Sequence, residues 1–336
     1  MRCLIIAIYM ELMKTVFITG ASGQIGSYLS EIMLSNDYIV YGLKRPSSSN
    51  ITNLENVISN SDFKLVNGDI TDDKFINNFV SNIKPDIFVN CAAQSNVIKS
   101  SESFDSKYLT RLAGASSTIS CLNAIRKHSS NTKFVTLGSS LMFGNSPPPQ
   151  NENCPFDPKS PYALAKLISY DVVNYYRNFH NLFASNAICF NSESPRRPEN
   201  YVSRKITKAI ARIKYGLQDK LVLGNLNALR DFSHAKDTAN AIFKIITYHQ
   251  PDNFIVASGQ THSIQELVEL AFIYCNLDWK NYVETDLKFF REKKENIYCG
   301  DVLKIRNYLN WEPKYNFFDL VKEMVDHDIE LVKREI

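Results

Sequence analysis

Short apolar runs recur through the first two thirds of the chain, and stretches with helical spacing separate them. The runs are TVFITG, YIVYGL, FKLVNGD, DIFVNCAA and KFVTLGS; IGSYLSEIMLS and DDKFINNFVSNI are two of the helical stretches between them. Strands alternating with amphipathic helices predict an α/β fold, a doubly wound parallel sheet of Rossmann type. A Pro/Asn loop, NSPPPQNENCPFDP, then leads into SPYALAKLISYDVVNYYRNFH, a further helix with Ser160 and Pro161 as its start signals. Beyond NSESPRRPEN the elements are shorter and richer in Arg and Lys, and SIQELVELAFIYC and FFDLVKEMVDHDIELVKRE predict late helices. There are no internal repeats. The expected organisation is a tail over residues 1–13 and a nucleotide-binding domain over 14–190, with later segments returning to it from about 225–260. Residues 191–336 are then mainly a smaller C-terminal α/β substrate lobe.

Composition narrows the class. A chain of 336 residues fits one large α/β unit, or a nucleotide domain with an appended lobe. An apolar fraction of 44% and a charged fraction of 22% provide an ordinary core and surface. The net charge of +3 is spread along the chain, so no nucleic-acid partner is expected. Cys3, Cys91, Cys121, Cys154, Cys189, Cys275 and Cys299 form no CxxC pair and have no His at metal spacing. They read as reduced thiols of a cytoplasmic protein without a metal site. The opening MRCLIIAIYM is too short to span a membrane and lacks a cleavage site, so no membrane association is expected. Either Met13 is the natural start or residues 1–12 lie outside the fold.

GASGQIG places Gly20, Gly23 and Gly26 directly after a strand and at the opening of a helix. Such glycines permit a tight turn, close approach of backbone to a pyrophosphate and close helix packing, with the helix N-terminus toward the phosphates. Ser22, Gln24 and Ile25 belong to the same loop. Where an NAD enzyme would carry a ribose-binding acid after the second strand, the chain reads GLKRPSSSN. Lys44 and Arg45 suit a 2′-phosphate and favour NADP(H) over NAD, a solvated basic loop being the alternative. Asp69 and Ile70 are placed to flank the adenine.

SPYALAK sets Tyr162 and Lys166 four apart, on one helical face. A tyrosine of pKa ~10 is a poor base near neutrality. A neighbouring ammonium and a cationic nicotinamide favour its phenolate, which makes Tyr162 a usable acid/base for a sugar hydroxyl. Ser139, at the end of KFVTLGS, is expected to hydrogen-bond the same hydroxyl.

From residue 14 to about 328 the chain resembles the extended short-chain dehydrogenases, and within them the GDP-mannose 4,6-dehydratase family. The resemblance is carried by ITGASGQIGSYLSE, LKRPSSSN, NCAAQSNV, SPYALAK, NSESPRRPENYVSRKITKAIARI, LGNLNALRDFSHAKD and GDVLKIRNYLNWEP. It implies a GDP-sugar substrate and places Ala92 and Ala93 at the cofactor. It also implies that Asn191 and Glu193 line the sugar, that Val202, Arg204 and Lys205 meet the nucleotide, and that Gly224, Asn225 and Arg230 contact base or diphosphate. Arg291 aligns with an arginine of the family's C-terminal diphosphate clamp. Several cations are what two linked phosphates call for. KRPSSSN resembles a segment that bridges subunits in that family, which implies a homodimer or homotetramer.

One position departs from that pattern in a way that touches the chemistry. The family reads threonine, a second residue and then glutamate at the strand end; this chain reads Ser139, Ser140, Leu141. The glutamate removes the C5 proton after C4 is oxidised, while water leaves C6. Leucine can do neither half of that exchange. Glu152, Asp157 and Glu193 are candidate replacements, though the sequence puts none of them at the missing position. An acid is also absent from YLTRLAGASS, and REKK (Arg291 to Lys294) replaces a motif that carries a ribose-contacting acid. The expected activity is therefore transfer of hydride at C4 of a GDP-linked hexose or heptose, as 4-keto reductase, C4 epimerase or dehydrogenase. A 4,6-dehydratase using another acid and a catalytically weak regulatory homologue are the alternatives.

Overall fold

The computed structural model of the chain describes residues 13–48, 51–92, 105, 108, 110, 112–289 and 296–336. All of the expected tail over residues 1–13 except Met13 therefore lies outside the described residues. The chain forms two compact units. The first takes Met1–Phe143, Phe156–Ile188 and Ala239–Phe254; the second takes Gly144–Pro155, Cys189–Thr238 and Ile255–Ile336.

The first unit is built on β1 (Thr15–Thr19), α1 (Gln24–Leu34), β2 (Ile39–Lys44), β3 (Phe63–Asn67), α2 (Asp73–Ile83) and β4 (Ile87–Asn90). α3 (Ser117–His128), β5 (Lys133–Ser139), α4 (Pro161–His180) and β6 (Ala184–Cys189) follow. The seven-stranded sheet runs in the order Asn253–Val256, β6, β5, β4, β1, β2, β3. β1 pairs in parallel with β2 (Thr15 opposite Ile39) on one side and with β4 (Val16 opposite Ile87) on the other. Chain order thus reverses beside β1, and such a switch point opens a crevice at the carboxyl ends of the strands. Thr19 and Asn90 stand at those ends.

Local signals set the helices. The Ser160 hydroxyl accepts from the Ala163 N–H at 3.1 Å, Pro161 occupies the first turn of α4, and Asn181 closes the helix in the left-handed region (φ 53°). Pro at that position forgoes an N–H that would have no intrahelical partner. Asp72 caps α2 by accepting from the N–H groups of Lys74 and Phe75 at 3.0 and 3.1 Å. Under the sheet Phe17 packs on Phe88 (ring centres 4.8 Å apart), which packs on Phe134 (5.5 Å). All three are fully buried, each worth roughly 1.5–3 kcal/mol of transfer free energy.

The second unit contains β7 (Asn191–Glu193), α5 (Val202–Lys214), β8 (Leu221–Leu223), β9 (Leu229–Arg230) and β10 (Phe232–His234). α6 (Ala235–Thr247) and β11 (Asn253–Val256) carry the chain back to the large sheet. β12 (His262–Ser263), α7 (Ile264–Tyr274), β13 (Val283–Thr285), α8 (Leu303–Leu309) and α9 (Phe317–Lys333) complete it. Three two-stranded pairs, β7–β10, β8–β13 and β9–β12, replace a single sheet. An apolar layer from α5, α7 and α9, including Ile210, Val268, Phe272 and Val325, closes its core. The loop Gly144–Pro155 goes with this unit because Gln150 binds it there. Its backbone N–H donates to Cys299 O, its carbonyl accepts from Asp301 N–H, and its side chain bonds both Ile297 O and Cys299 N–H.

Candidate active site

The loop between β1 and α1 is shaped by two glycines. Gly20 sits at φ +66°, and a Cβ there would come within 3.1 Å of the Ala92 backbone. A Cβ on Gly26 would lie 2.4 Å from Gly20 O, so only glycine lets α1 lie this close to the loop. Gly23 is the N-cap of α1 and gives it no side-chain cap, which suits a helix end that meets an anion. Ser22 and Ile25 are half-buried and Gln24 is buried. Thr19 Oγ1 donates to Asn90 Oδ1 at 2.7 Å and accepts from Ala92 N–H at 3.1 Å, tying the two strand ends at the switch point together. Asn90 escaped the sequence reading; a lone amide closing the apolar run DIFVN was its only signal.

The remaining dinucleotide candidates are dispersed around this cradle. The Lys44 ammonium folds over its own loop, donating to Ser48 O at 2.6 Å, whereas Arg45 is exposed. Asp69 Oδ1 accepts from the Thr71 N–H and hydroxyl at 2.9 and 2.8 Å, and Ile70 is buried beside it. Ala93 lies outside the described residues. The positive-φ Gly20, the missing Cβ of Gly26 and the uncapped helix end fit a dinucleotide pyrophosphate.

β5 delivers Ser139 to its carboxyl end, and a tight 3-10 turn, Ser140–Phe143, follows at once. The Leu141 N–H donates to Ser139 Oγ at 3.3 Å, and the Leu141 side chain is partly exposed between buried Ser140 and Met142. Asp157 N–H anchors the turn by donating to Met142 O at 2.8 Å. Phe156 braces it, with ring centres 5.0 Å from Phe143 and 4.9 Å from Tyr170. On α4 the Lys166 ammonium stands 5.9 Å from the centre of the Tyr162 ring. The same ammonium donates to Leu137 O at 2.6 Å, so one buried cation links the tyrosine's helix to the strand that carries Ser139.

In the second unit the expected substrate residues fall into two groups. Asn191, on β7, donates its N–H to Asp231 O at 3.1 Å, next to Arg230 on β9. Arg230 bonds Leu229 O through Nη1 at 2.7 Å. Lys205, Gly224 and Phe289 form the second group: Lys205 Nζ lies 4.6 Å from the Phe289 ring centre and bonds Val222 O at 2.7 Å, and Gly224 lies against the Phe289 backbone. Burial, with Lys288 adding to it, lowers the Lys205 pKa. Lys205 also lines a cleft of about 340 Å³ with Glu199, Lys208, Arg212, Leu221 and Val222. Val202 is exposed at the start of α5, and Asn225 Oδ1 accepts from Asn227 N–H at 3.0 Å.

Two residues expected at the ligand are committed inside the fold. Arg204 is buried, with Nη2 2.6 Å from Asp328 Oδ1 and Nε 3.2 Å from Asp328 Oδ2, and its Nη1 donates to the carbonyls of Arg197 and Pro195. Four of the roughly five N–H donors of a guanidinium are thereby engaged. Glu193 is likewise buried, accepting from Ser203 Oγ and pairing with Arg197 Nε at 3.2 Å. The other carboxylates weighed as replacement bases are also partnered. Glu152 accepts from Ile255 N–H at 2.8 Å, and Asp157 pairs with Lys159 at 2.6 Å. Arg291 and the rest of REKK lie outside the described residues. Among the described residues no cluster of three or more metal-ligating side chains occurs, and no helix is long and apolar enough to cross a membrane.

A doubly wound sheet with a glycine cradle, and a tyrosine and lysine one turn apart on a helix whose lysine bonds the strand that ends in Ser139, are features of the epimerase/dehydratase type of short-chain dehydrogenase. The family model described as GDP-mannose 4,6 dehydratase matches residues 17–324. The chain belongs to the GDP-mannose 4,6-dehydratase family. It is 42% identical over 333 residues to GDP-mannose 4,6 dehydratase 2 of Arabidopsis thaliana, covering 96% of this chain and 88% of that one. It is 37% identical over 343 residues to the Homo sapiens GDP-mannose 4,6 dehydratase, covering 94% and 91%. Among solved structures, dTDP-glucose 4,6-dehydratase of Bacillus anthracis in complex with NAD shares the fold at a TM-score of 0.83 and 20% identity, covering 95% of this chain and 98% of that one. RMD from Pseudomonas aeruginosa, complexed with NADPH, does so at 0.78 and 20%, covering 95% and 99%.

Proposed function

We propose that this protein is an NADP(H)-dependent enzyme that changes the oxidation level or configuration of C4 in a GDP-linked hexose or heptose. Reduction of a 4-keto sugar is the leading form, followed by C4 epimerisation and simple C4 oxidation. The reading is supported by a chain that keeps Ser139, Tyr162 and Lys166 but carries Leu141 at the position where the family resemblance implies an elimination base. Nucleotide-sugar chemistry is supported by family membership, and guanine by the names of the relatives.

The cofactor, when bound, supplies or accepts the hydride at C4. Ser139 holds the C4 oxygen by a hydrogen bond, and Tyr162 gives or takes the proton on that oxygen. Lys166 favours the anionic form of Tyr162 and fixes α4 against β5. Asn191, Lys205 and Arg230 are the proposed polar contacts to sugar and diphosphate. A homodimer or homotetramer in the cytoplasm completes the reading.

A second reading, a 4,6-dehydratase with another base, is favoured by the family model and by the names of the relatives. The internal bonds of Glu152 and Glu193 weigh against those two as the base. Incubation with GDP-mannose and with GDP-4-keto-6-deoxymannose plus NADPH, with products identified by NMR, tests the proposal. Failure to reduce, epimerise or oxidise any C4 centre would overturn it.

Two binding experiments test its parts. GDP should raise the melting temperature more than UDP or dTDP at equal concentration, because a ligand that binds only the folded state stabilises it by mass action. A larger shift with UDP would remove the guanine assignment. Arg45→Ala should weaken NADPH binding by about tenfold or more, the scale of a charge-assisted contact to phosphate, and leave NADH binding nearly unchanged. Equal weakening of both would make Arg45 a structural residue and return the choice of cofactor to NAD.

A further inference from the structure

Asp231 follows Arg230 directly and is fully buried, yet among the described residues no cation pairs with its carboxylate within 4.0 Å. Four donors surround it instead. Ser258 N–H and Ser258 Oγ donate to Oδ1 at 2.8 and 2.6 Å, while Gly259 N–H and Gly300 N–H donate to Oδ2 at 3.1 and 3.0 Å. Its backbone carbonyl accepts from Asn191 N–H at 3.1 Å. One residue thus joins β7, the end of β9, the turn after β11 and the segment around Gly300. That last segment is held from its other side by Gln150, which is itself fully buried and bonded to Cys299 and Asp301 through its own backbone.

This connectivity has a direction. Arg230 is the chain neighbour of Asp231, and Asn191 hangs from the Asp231 carbonyl, so the course of both backbones follows the carboxylate's four bonds. Burying a carboxylate is costly unless several donors satisfy it. Burial does raise the Asp231 pKa, against the pull of its hydrogen bonds. An amide or an apolar side chain could fill the same space for packing alone, but neither can accept from four N–H and O–H donors at once. The arrangement that satisfies Asp231 also holds the backbones of Asn191 and Arg230.

We infer that Asp231 is a positioning residue for the sugar-nucleotide half of the site, holding Asn191 and Arg230 in place for a GDP sugar without touching it. The inference rests on the reading that those two residues meet the substrate. The variant Asp231→Asn keeps the shape but turns two lone-pair sites into N–H groups that face donors. Ser258→Ala removes only the 2.6 Å hydroxyl donor and is the milder perturbation.

The experiment measures the dissociation constants of the full chain for GDP-mannose and for NADPH by titration calorimetry. Asp231→Asn should weaken GDP-mannose binding by about tenfold or more, and Ser258→Ala by a few fold, the range expected when a buried hydrogen bond to a charged group is lost. NADPH binding should stay within about twofold of wild type in both, because a merely destabilised fold would weaken both ligands together. GDP-mannose binding unchanged in either folded variant, or lost in parallel with NADPH binding, would overturn the inference; if Asp231→Asn fails to fold, Ser258→Ala alone decides it. Wild-type protein that binds NADPH but no GDP sugar would instead overturn the substrate reading beneath it.

Discussion

Tyr162→Phe should leave the chain folded and able to bind NADPH, and lower turnover of a C4-active GDP sugar by about 10²–10⁴-fold. The substitution removes one hydroxyl from a half-buried ring and leaves the packing of α4 in place. What it removes chemically is the only proton carrier proposed to reach the C4 oxygen. The oxygen must gain or lose a proton whenever the carbon changes oxidation level, and the Ser139 hydroxyl, itself a poor acid and base, can only hold it. Lys166 is a less clean target, because its ammonium also bonds Leu137 O at 2.6 Å. Truncating it would leave a buried carbonyl without its donor, at a cost of about 1–3 kcal/mol, and mix a folding defect with a chemical one. Single-turnover rates, alongside NADPH binding followed by nicotinamide fluorescence, separate the two. A variant that retains more than about a tenth of the wild-type rate would mean that another group moves the proton.

What the sequence revealed of this molecule follows the range over which its signals act. The doubly wound sheet was legible because each strand and helix announces itself within a dozen residues: TVFIT as an apolar run, Ser160-Pro161 as a helix start, GASGQIG as a turn that only glycine can make. The pairing of Tyr162 with Lys166 is likewise a matter of helical spacing. The second unit resisted such reading because long-range contacts build it. Arg204 was expected at the nucleotide because the family resemblance implies it there. Its partner, Asp328, lies 124 positions away, and nothing local marks the two as a buried ion pair. Thr19 and Asn90, 71 positions apart, meet only because β1 and β4 are neighbours in the sheet. Gln150 sits in a Pro/Asn-rich stretch that has the composition of a solvent loop. It is fully buried because a segment some 150 positions later wraps its amide. Composition describes the average surroundings of a residue type, and these residues are exceptions that the tertiary fold creates.

GDP-mannose supplied without any reductant should not accumulate a 4-keto-6-deoxy product. Elimination across C5 and C6 begins once C4 is a ketone, which acidifies the C5 proton, but a positioned base must still collect it. In the proposed reading that place falls to Leu141 in the turn after Ser139, whose N–H bonds Ser139 Oγ at 3.3 Å and whose side chain has nothing with which to accept a proton. Loss of a positioned acid/base costs ~10²–10⁴ in rate. Two of the carboxylates weighed as substitutes have other duties: Glu152 on Ile255 N–H and Glu193 on Ser203 and Arg197. Moving Glu152 or Glu193 to the sugar would strand a buried donor in each case, which opposes any rearrangement. The proposed C4 chemistry needs no such base, so a 4-keto sugar with NADPH should be reduced, or a C4 epimer should form with no net change in cofactor. Deuterium is the decisive label. In D₂O a working elimination base exchanges C5 with solvent, whereas reduction or epimerisation confined to C4 leaves C5 protiated. The double variant Leu141→Glu, Ser139→Thr should gain C5 exchange if the surrounding pocket still presents C5 to position 141. Robust C5 labelling by the unmodified protein would show that a base other than residue 141 serves the elimination, and would return the chain to the dehydratases among its relatives.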